Sequence, residues 1–320
     1  MDWSSVVGPA ALLPLLAAAV RLAVPTVLAA VGECAAQRSG VYHLGLEGTM
    51  LMGAVAAFMA AESSGSPVVG ALAGAGAGAA MAVVTAVLVV ELHLDQIITG
   101  IAVTILGGGL SSFLYFDAYG LASAPPGVDG FQPRVVPVLG HLPGIGMVLF
   151  QQTPLVYAGG VLVVALALVL GHTTFGLAVR AAGQAPEALD AAGRSVRGIR
   201  WTGLLISGTM TGLGGAVLVD DLGLFREYLT AGRGWVAVAI VILARWNPTG
   251  AVAGGLMFGF VDALQLRIQA ASGGVETGVP YELFQALPYL ATLAVVVAAT
   301  VRFGRSGEPA ALGAPFVRSR

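Results

Sequence analysis

The apolar positions of this chain fall in blocks long enough to cross a lipid bilayer. A helix spanning about 30 Å of hydrocarbon needs roughly 20 apolar residues. Nine stretches approach that length, at about 8–31, 48–62, 67–90, 96–116, 154–171, 201–219, 233–246, 249–269 and 285–301. The stretches at 48–62 and 233–246 fall short of a full span, and glycines flank the start of each: Gly45 and Gly48 at one, Gly232 and Gly234 at the other. Short, Gly-interrupted hydrophobic segments in both halves of a transporter point to broken helices at a central site; tilted helices give the same pattern. The pattern predicts an all-α polytopic membrane bundle of nine or ten transmembrane helices with broken or re-entrant segments, forming a single membrane domain over residues 1–320.

Composition removes the other classes. Of 320 residues 57% are hydrophobic and 10% charged, and the mean hydropathy is +0.88, whereas soluble domains carry about 25% charged residues. A soluble globular chain and a disordered one are both excluded. The net charge is -2 and all 15 basic residues are Arg, so neither nucleic acid nor an acidic substrate is an expected partner. Cys34 is the only cysteine, which rules out an intrachain disulfide and argues against a cysteine-built metal cluster. The start Met1-Asp2-Trp3 lacks a basic region and the first apolar stretch carries Arg21, so a cleaved signal peptide is not expected.

Charge position sets the orientation. The loop at about 172–200 holds Arg180, Arg194, Arg197 and Arg200, and the positive-inside rule places it in the cytoplasm. Threading the spans from it leaves the N-terminus outside and the tail, with Arg302, Arg305, Arg318 and Arg320, inside. The loop at about 117–153, with Pro125, Pro126, Pro133, Pro137 and Pro143, reads as an irregular external cap or a simple linker. The Gly and Ala run from Val69 to Ala80 lets helix backbones approach closely. The tail at about 303–320, mixed Gly, Pro and Arg, is expected to be flexible.

No GxxxxGKS/T, HExxH, GxSxG or CxxC motif occurs, so the chain is not expected to be an enzyme or to hydrolyse ATP by a P-loop. His43, His93, His141 and His172 are scattered, and no metal or cofactor site is expected in the chain itself.

Four polar patches interrupt the apolar sequence. The first runs from Gly32-Glu33 through Ser39-Gly40-Val41-Tyr42-His43-Leu44-Gly45-Leu46-Glu47-Gly48. Ionisable residues inside a membrane domain mark function by default, and an unwound stretch followed by a helix start presents backbone N–H groups and a positive dipole end to a cavity. The plain alternative keeps Glu33 and Arg38 in the headgroups. In the second patch, Asp95, Gln96 and Thr99 are followed by Thr104; spacings of four and five put Asp95, Thr99 and Thr104 near one helical face, while Asp95 equally suits a helix cap. In the third, Asp262, Gln265 and Gln269 share one face, to line a pathway or to bond a neighbouring helix. The fourth runs from Gly176 to Arg194, with Pro186 suited to a first helical position, Glu187 to the N-terminal dipole and Gly193 to a helix stop. It predicts a surface helix of about two turns, ordered by docking because it is too short to be stable alone.

In these patches the chain resembles the permease subunits of ABC importers for nucleosides and simple sugars, within the branched-chain amino acid and ribose permease superfamily. The resemblance is carried by Gly32-Glu33, Ser39 to Gly48, Asp95-Gln96-Ile97-Ile98-Thr99-Gly100, Gly176-Leu177 with Arg180-Ala181, and Pro186-Glu187-Ala188 to Gly193. Gly232-Arg233-Gly234-Trp235, Ala244-Arg245-Trp246-Asn247-Pro248 and Phe258-Gly259 with Asp262-Ala263-Leu264-Gln265 complete it. It implies a type II importer fold of about ten helices. Two permease subunits, homologous or identical, would form a pathway on their pseudo-twofold axis, each resting on an ATPase subunit that holds ATP and Mg and receiving ligand from an external substrate-binding protein. The helix from Pro186 to Ala192 would couple to the ATPase, with Arg180, Pro186, Glu187, Asp190, Gly193 and Arg194 at that contact. His43, Gly45, Glu47, Gly48, Asp95, Gln96, Thr99, Thr104, Asp262 and Gln265 would border the substrate pathway.

The chain departs from the family pattern at His43, Asp95 and Thr104, where Asn is common, and at Ala185, which replaces an Asn before Pro186 and forgoes an N-cap worth about 1 kcal/mol. Imidazole brings other donors and a group that titrates near neutrality, so His43 is expected to tune ligand choice or pH response. The implied function is translocation of a nucleoside or related sugar-containing solute across the cell membrane. The alternative is a secondary transporter with Glu47, Asp95 or Asp262 as a proton relay.

Overall fold

The computed structural model describes residues 8–120, 126–271, 286–294, 297 and 307–317. In chain order its helices are α1 (Pro9–Arg38), α2 (Leu46–Ser64), α3 (Pro67–Ala86, prolonged by a π-helical turn Val87–Glu91), α4 (Gln96–Tyr119), α5 (Ile145–Leu149), α6 (Pro154–His172), α7 (Thr174–Gln184), α8 (Pro186–Ala191), α9 (Val196–Leu222), α10 (Arg233–Leu243) and α11 (Pro248–Ala271). Among the described residues six helices are long and apolar enough to cross a membrane: α1, α3, α4, α6, α9 and α11. The chain is a multi-pass helical membrane bundle. The last predicted span, 285–301, lies partly outside the described residues; 286–294 is helical.

The two short stretches become α2 and α10. With 11 residues α10 is about 16 Å long, half the hydrocarbon thickness, and so cannot cross as a tilted span. Helix α2, expected to be short, has 19 residues and is about 28 Å long, so of the two only α10 is a short helix; α2 starts inside the protein, with Leu46, Gly48, Thr49 and Met50 buried.

Helix α9 is the centre of the bundle: 72% of its most apolar window is buried, against 28% for α4 and for α6. Its glycines admit two neighbours at backbone contact. A Cβ on Gly78 of α3 would overlap the Gly208 carbonyl oxygen, and one on Gly212 would stand 2.7 Å from the Gly78 Cα. Gly53 of α2 meets Gly212 in the same way. In lipid, where apolar burial does not distinguish helix from solvent, such close van der Waals approach holds helices together.

The two ends of the bundle differ. At one, the 117–153 connection is only partly irregular: Arg134–Val135 pairs antiparallel with Gln151–Gln152 around a 3-10 turn, Leu139–His141, and α5. Asp220 anchors it by accepting from the Phe131 N–H at 2.6 Å, and Arg21 pairs with Asp221 at 2.8 Å nearby. The other end is arginine-rich and carries α7 and α8 where a single short helix was expected. Pro186 opens α8, the Ala185 cap makes no side-chain hydrogen bond, and Gly193 closes it at φ +76°. Pro186 and Leu189 are buried, so α8 is held by docking. Residues 307–317 also dock on this face rather than running free. Composition describes their own side chains, but backbone partners on the bundle supply their order.

Candidate functional site

Glu47 sits where two helix N-termini meet. It is the second residue of α2, and its side chain reaches the start of α10. Oε1 accepts from Thr230 Oγ1 at 2.5 Å and the Gly232 N–H at 2.8 Å, and Oε2 accepts from the Gly234 N–H at 2.7 Å. A carboxylate there neutralises the positive ends of both helices and satisfies donors that α10 leaves unpaired. Gly234 is required by the approach, since a Cβ on it would stand 2.5 Å from the Glu47 nitrogen. Between the two glycines, Arg233 turns the other way and pairs with Asp262 of α11, Nη2 to Oδ2 at 2.6 Å, both side chains largely buried. The two segments singled out for shortness thus converge on one carboxylate.

A second polar node lies inside the bundle on Glu33 of α1. Its Oε1 accepts from Gln37 Nε2 at 2.8 Å and the His43 backbone N–H at 3.0 Å, and Oε2 accepts from Ser207 Oγ of α9 at 2.8 Å. The Ser207 oxygen lies 3.0 Å from His43 Nδ1, and His43 Nε2 lies 3.4 Å from Thr49 Oγ1. With Ser207 donating to Glu33, the network is satisfied by the tautomer that carries hydrogen on Nδ1, so that Thr49, His43, Ser207 and Glu33 form one directed chain. Gln37 Oε1 then accepts from Trp246 Nε1 at 2.7 Å. Trp246 and Arg245 both hold left-handed backbone, at φ 57° and 54°, in the bend between α10 and α11. Such conformations cost non-glycine residues roughly 1–2 kcal/mol each, and the Trp246 bond holds one of them in place. Helix α10 is therefore gripped at both ends, by Glu47 and by Gln37.

The other predicted residues are placed as follows. His43 is fully buried between α1, α2 and α9. Gly45 and Gly48 face α4, where a Cβ on Gly48 would stand 2.6 Å from the Val103 carbonyl oxygen. Of the two readings of Asp95 the cap is the one observed: exposed at the arginine-rich end, it accepts from the Ile97 and Ile98 N–H groups at 2.9 and 2.8 Å. Gln96 is buried and accepts from the Tyr42 N–H at 2.8 Å; Thr99 is buried, and Thr104 Oγ1 donates to the Leu44 carbonyl at 3.5 Å. Gln265 is buried one turn beyond Asp262. On the arginine-rich face Arg180 donates to the Leu170 carbonyl, Glu187 lies in the first turn of α8, and the Asp190 carbonyl accepts from the Gly193 N–H. Asp190, Gly193 and Arg194 border a cleft of about 490 Å³ together with Arg197, Arg200 and Glu91. The structure thus joins Glu47 with Asp262 through the Gly232–Gly234 turn and its Arg233 side chain, and joins Gln96 to the loop before α2 that carries His43, while Asp95 stands apart. Thr230, Ser207 and Gln37 escaped the sequence reading because a small hydroxyl or amide in an apolar run carries no signal of what it will face.

The arrangement suits a transporter better than an enzyme: carboxylates, amides and hydroxyls here bond one another and hold helix ends in place. A family model described as branched-chain amino acid transport system / permease component matches residues 15–297. The chain belongs to this permease family. The permease is 34% identical over 307 residues to a putative glucose ABC transporter permease protein of Haloferax volcanii, covering 90% of this chain and 92% of the relative. It is 31% identical over 309 residues to a guanosine ABC transporter permease protein of Bacillus subtilis, covering 93% and 94%. A nucleoside ABC transporter permease protein of Lactococcus lactis is also 31% identical over 309 residues, covering 92% and 94%. No solved structure matches the permease significantly. The permease is a membrane transport subunit of the ABC type.

Proposed function

We propose that this permease moves a neutral nucleoside or a simple sugar into the cell, powered by ATP and Mg bound on a separate ATPase subunit. The observation that carries the reading is likeness over nine-tenths of the chain to permeases named for guanosine, nucleosides and glucose. The site geometry supports a neutral solute: the donors at the start of α10, which would otherwise attract an anion, are already taken by Glu47. The working transporter pairs this chain with a homologous or identical second permease and an external substrate-binding protein, in the cell membrane. The arginine-rich face with α8 is the cytoplasmic side, where α8 enters the ATPase and Arg180, Glu187, Asp190 and Arg194 border that contact. The loop from Tyr42 to Gly48, with Gln96, Thr99, Thr104, Asp262 and Gln265 behind it, borders the pathway. His43 acts on the pathway through the loop it holds.

The test is uptake of labelled guanosine and glucose by cells with and without this gene, with membrane potential clamped and the proton gradient collapsed. Uptake that is lost on deletion and persists without the gradient is the expected result. Uptake that disappears with the gradient would transfer the proposal to a proton-coupled carrier.

A further inference from the structure

Residues 307–317 tie together separate segments that meet on the arginine-rich face. Ala311 N donates to the Gly183 carbonyl at 2.8 Å and Ala310 N to Gln184 Oε1 at 3.3 Å, directly ahead of α8. Gly313 N donates to the Gly40 carbonyl at 3.1 Å, at the start of the loop that carries Tyr42 and His43 to Glu47. Gly313 stands at φ +81°, and a Cβ on it would lie 3.2 Å from the Tyr42 ring. The Ala314 carbonyl accepts from Arg200 Nη1 at 2.9 Å. Phe316 packs on the apolar cluster of Ala178, Ala182, Leu189 and Val196, which spans α7, α8 and the start of α9. Ordering eleven residues costs roughly 10–20 kcal/mol of backbone entropy, so a segment with so few side chains of its own depends on these contacts.

Arg200 marks the junction as adjustable. It is 3% exposed, yet its Nε and Nη2 have no hydrogen-bond partner among the described residues. Nη2 points at Gly40, 3.0 Å from where a Cβ would stand. Arg200 also borders the cleft beside α8, where water can take donors that the protein leaves open, and a small shift of the Gly40 loop or of the segment beneath it changes how many Arg200 donors are paired within the protein. Two packings can therefore compete at this point.

We propose that residues 307–317 are a transmission strap: they carry displacements of α8 to the Gly40–Gly45 loop, and through it to the Glu33 and Glu47 contacts. For its consequence in transport the proposal rests on the ATP-driven reading above; its mechanical content does not.

The test uses the full-length chain in lipid nanodiscs, read by hydrogen exchange and mass spectrometry, with one substitution at each of two contacts of the strap. Phe316→Ala disturbs the α7–α9 contact, and Gly313→Val disturbs the Gly40 contact. Each variant is expected to speed exchange about tenfold at the distant contact as well as its own: over Val41–Leu44 for Phe316→Ala, and over Leu189–Gly193 at the end of α8, beyond the Gly183 carbonyl that Ala311 and the Gly40 loop already touch, for Gly313→Val. Faster exchange confined to the substituted contact would overturn the strap. Should Phe316→Ala fail to accumulate, Phe316→Leu, which partly refills the apolar seat, is read in the same way. In cells, Phe316→Ala at unchanged membrane level is expected to lower the initial uptake rate at least about fivefold, with partial recovery in Phe316→Leu; unchanged uptake would overturn the transport role. If the unmodified permease moves neither guanosine nor glucose, the proposed function fails by itself, and the exchange result still decides the strap.

Discussion

Glu47→Gln tests the carboxylate that joins the starts of α2 and α10. The side chain keeps its shape and loses its charge. Gln can leave its carbonyl oxygen where Oε1 accepts from Thr230 and Gly232, but then its amide nitrogen replaces Oε2, 2.7 Å from the Gly234 N–H. Donor faces donor, so one charge-assisted bond is lost and a backbone N–H is stranded, while the remaining two bonds weaken to neutral strength. A stranded buried donor costs about 1–3 kcal/mol and each charged bond contributes about 1.5–3 kcal/mol. Allowing for overlap between these, the start of α10 should be destabilised by about 2–4 kcal/mol, roughly 30- to 700-fold in its local opening equilibrium at 1.4 kcal/mol per tenfold. Hydrogen exchange of the purified chain in nanodiscs reads this directly at the Gly232 and Gly234 amides. Glu47→Ala, which strands all three donors, should be worse, and Glu62→Gln serves as control because Glu62 is exposed at the end of α2, with the Tyr119 hydroxyl at 3.3 Å as its only hydrogen-bond partner among the described residues. Exchange at Gly232 and Gly234 in Glu47→Gln indistinguishable from the unmodified chain would refute the assignment of Glu47 as the anchor of α10.

Three further expectations follow from the same packing. Gly212→Ala drives a Cβ into the Gly74 carbonyl and to 2.7 Å from the Gly78 Cα; overpacking of 1–3 kcal/mol or more is expected, and size-exclusion profiles in detergent should lose the monodisperse peak, while Gly109→Ala, which meets nothing within 4 Å, keeps it. For the Arg233–Asp262 pair, 13% and 10% exposed, either single neutral substitution should cost about 3–5 kcal/mol and the double substitution Arg233→Met with Asp262→Leu much less than the sum; additive losses in thermal unfolding would show that the two do not interact. Asp95→Ala should cost about 1 kcal/mol of helix capping and Asp95→Asn almost none, so if uptake falls tenfold in the Asn variant, Asp95 does more than cap α4.

Much of this was legible before the fold. Length, apolar blocks and a charge content too low for a soluble surface dictate a polytopic helical membrane protein, because the bilayer admits little else. The positions of Gly45, Gly48, Gly232 and Gly234 marked the starts of α2 and α10, and Pro186 and Gly193 marked the ends of α8, because these residues act through local backbone geometry that neighbours in sequence already specify. Partners are another matter. Whether Asp95 would cap its own helix or face a neighbour was undecidable from spacing, since both readings place it at the same helical position. That Glu47 would reach the start of α10, nearly two hundred residues on, that Gln37 would hold Trp246, and that a Gly- and Pro-rich tail would be ordered against Gly40 and Gly183 were decided only in three dimensions. A hydrogen bond needs a second group at about 2.8 Å, and nothing in a local stretch of sequence records which distant segment will supply it.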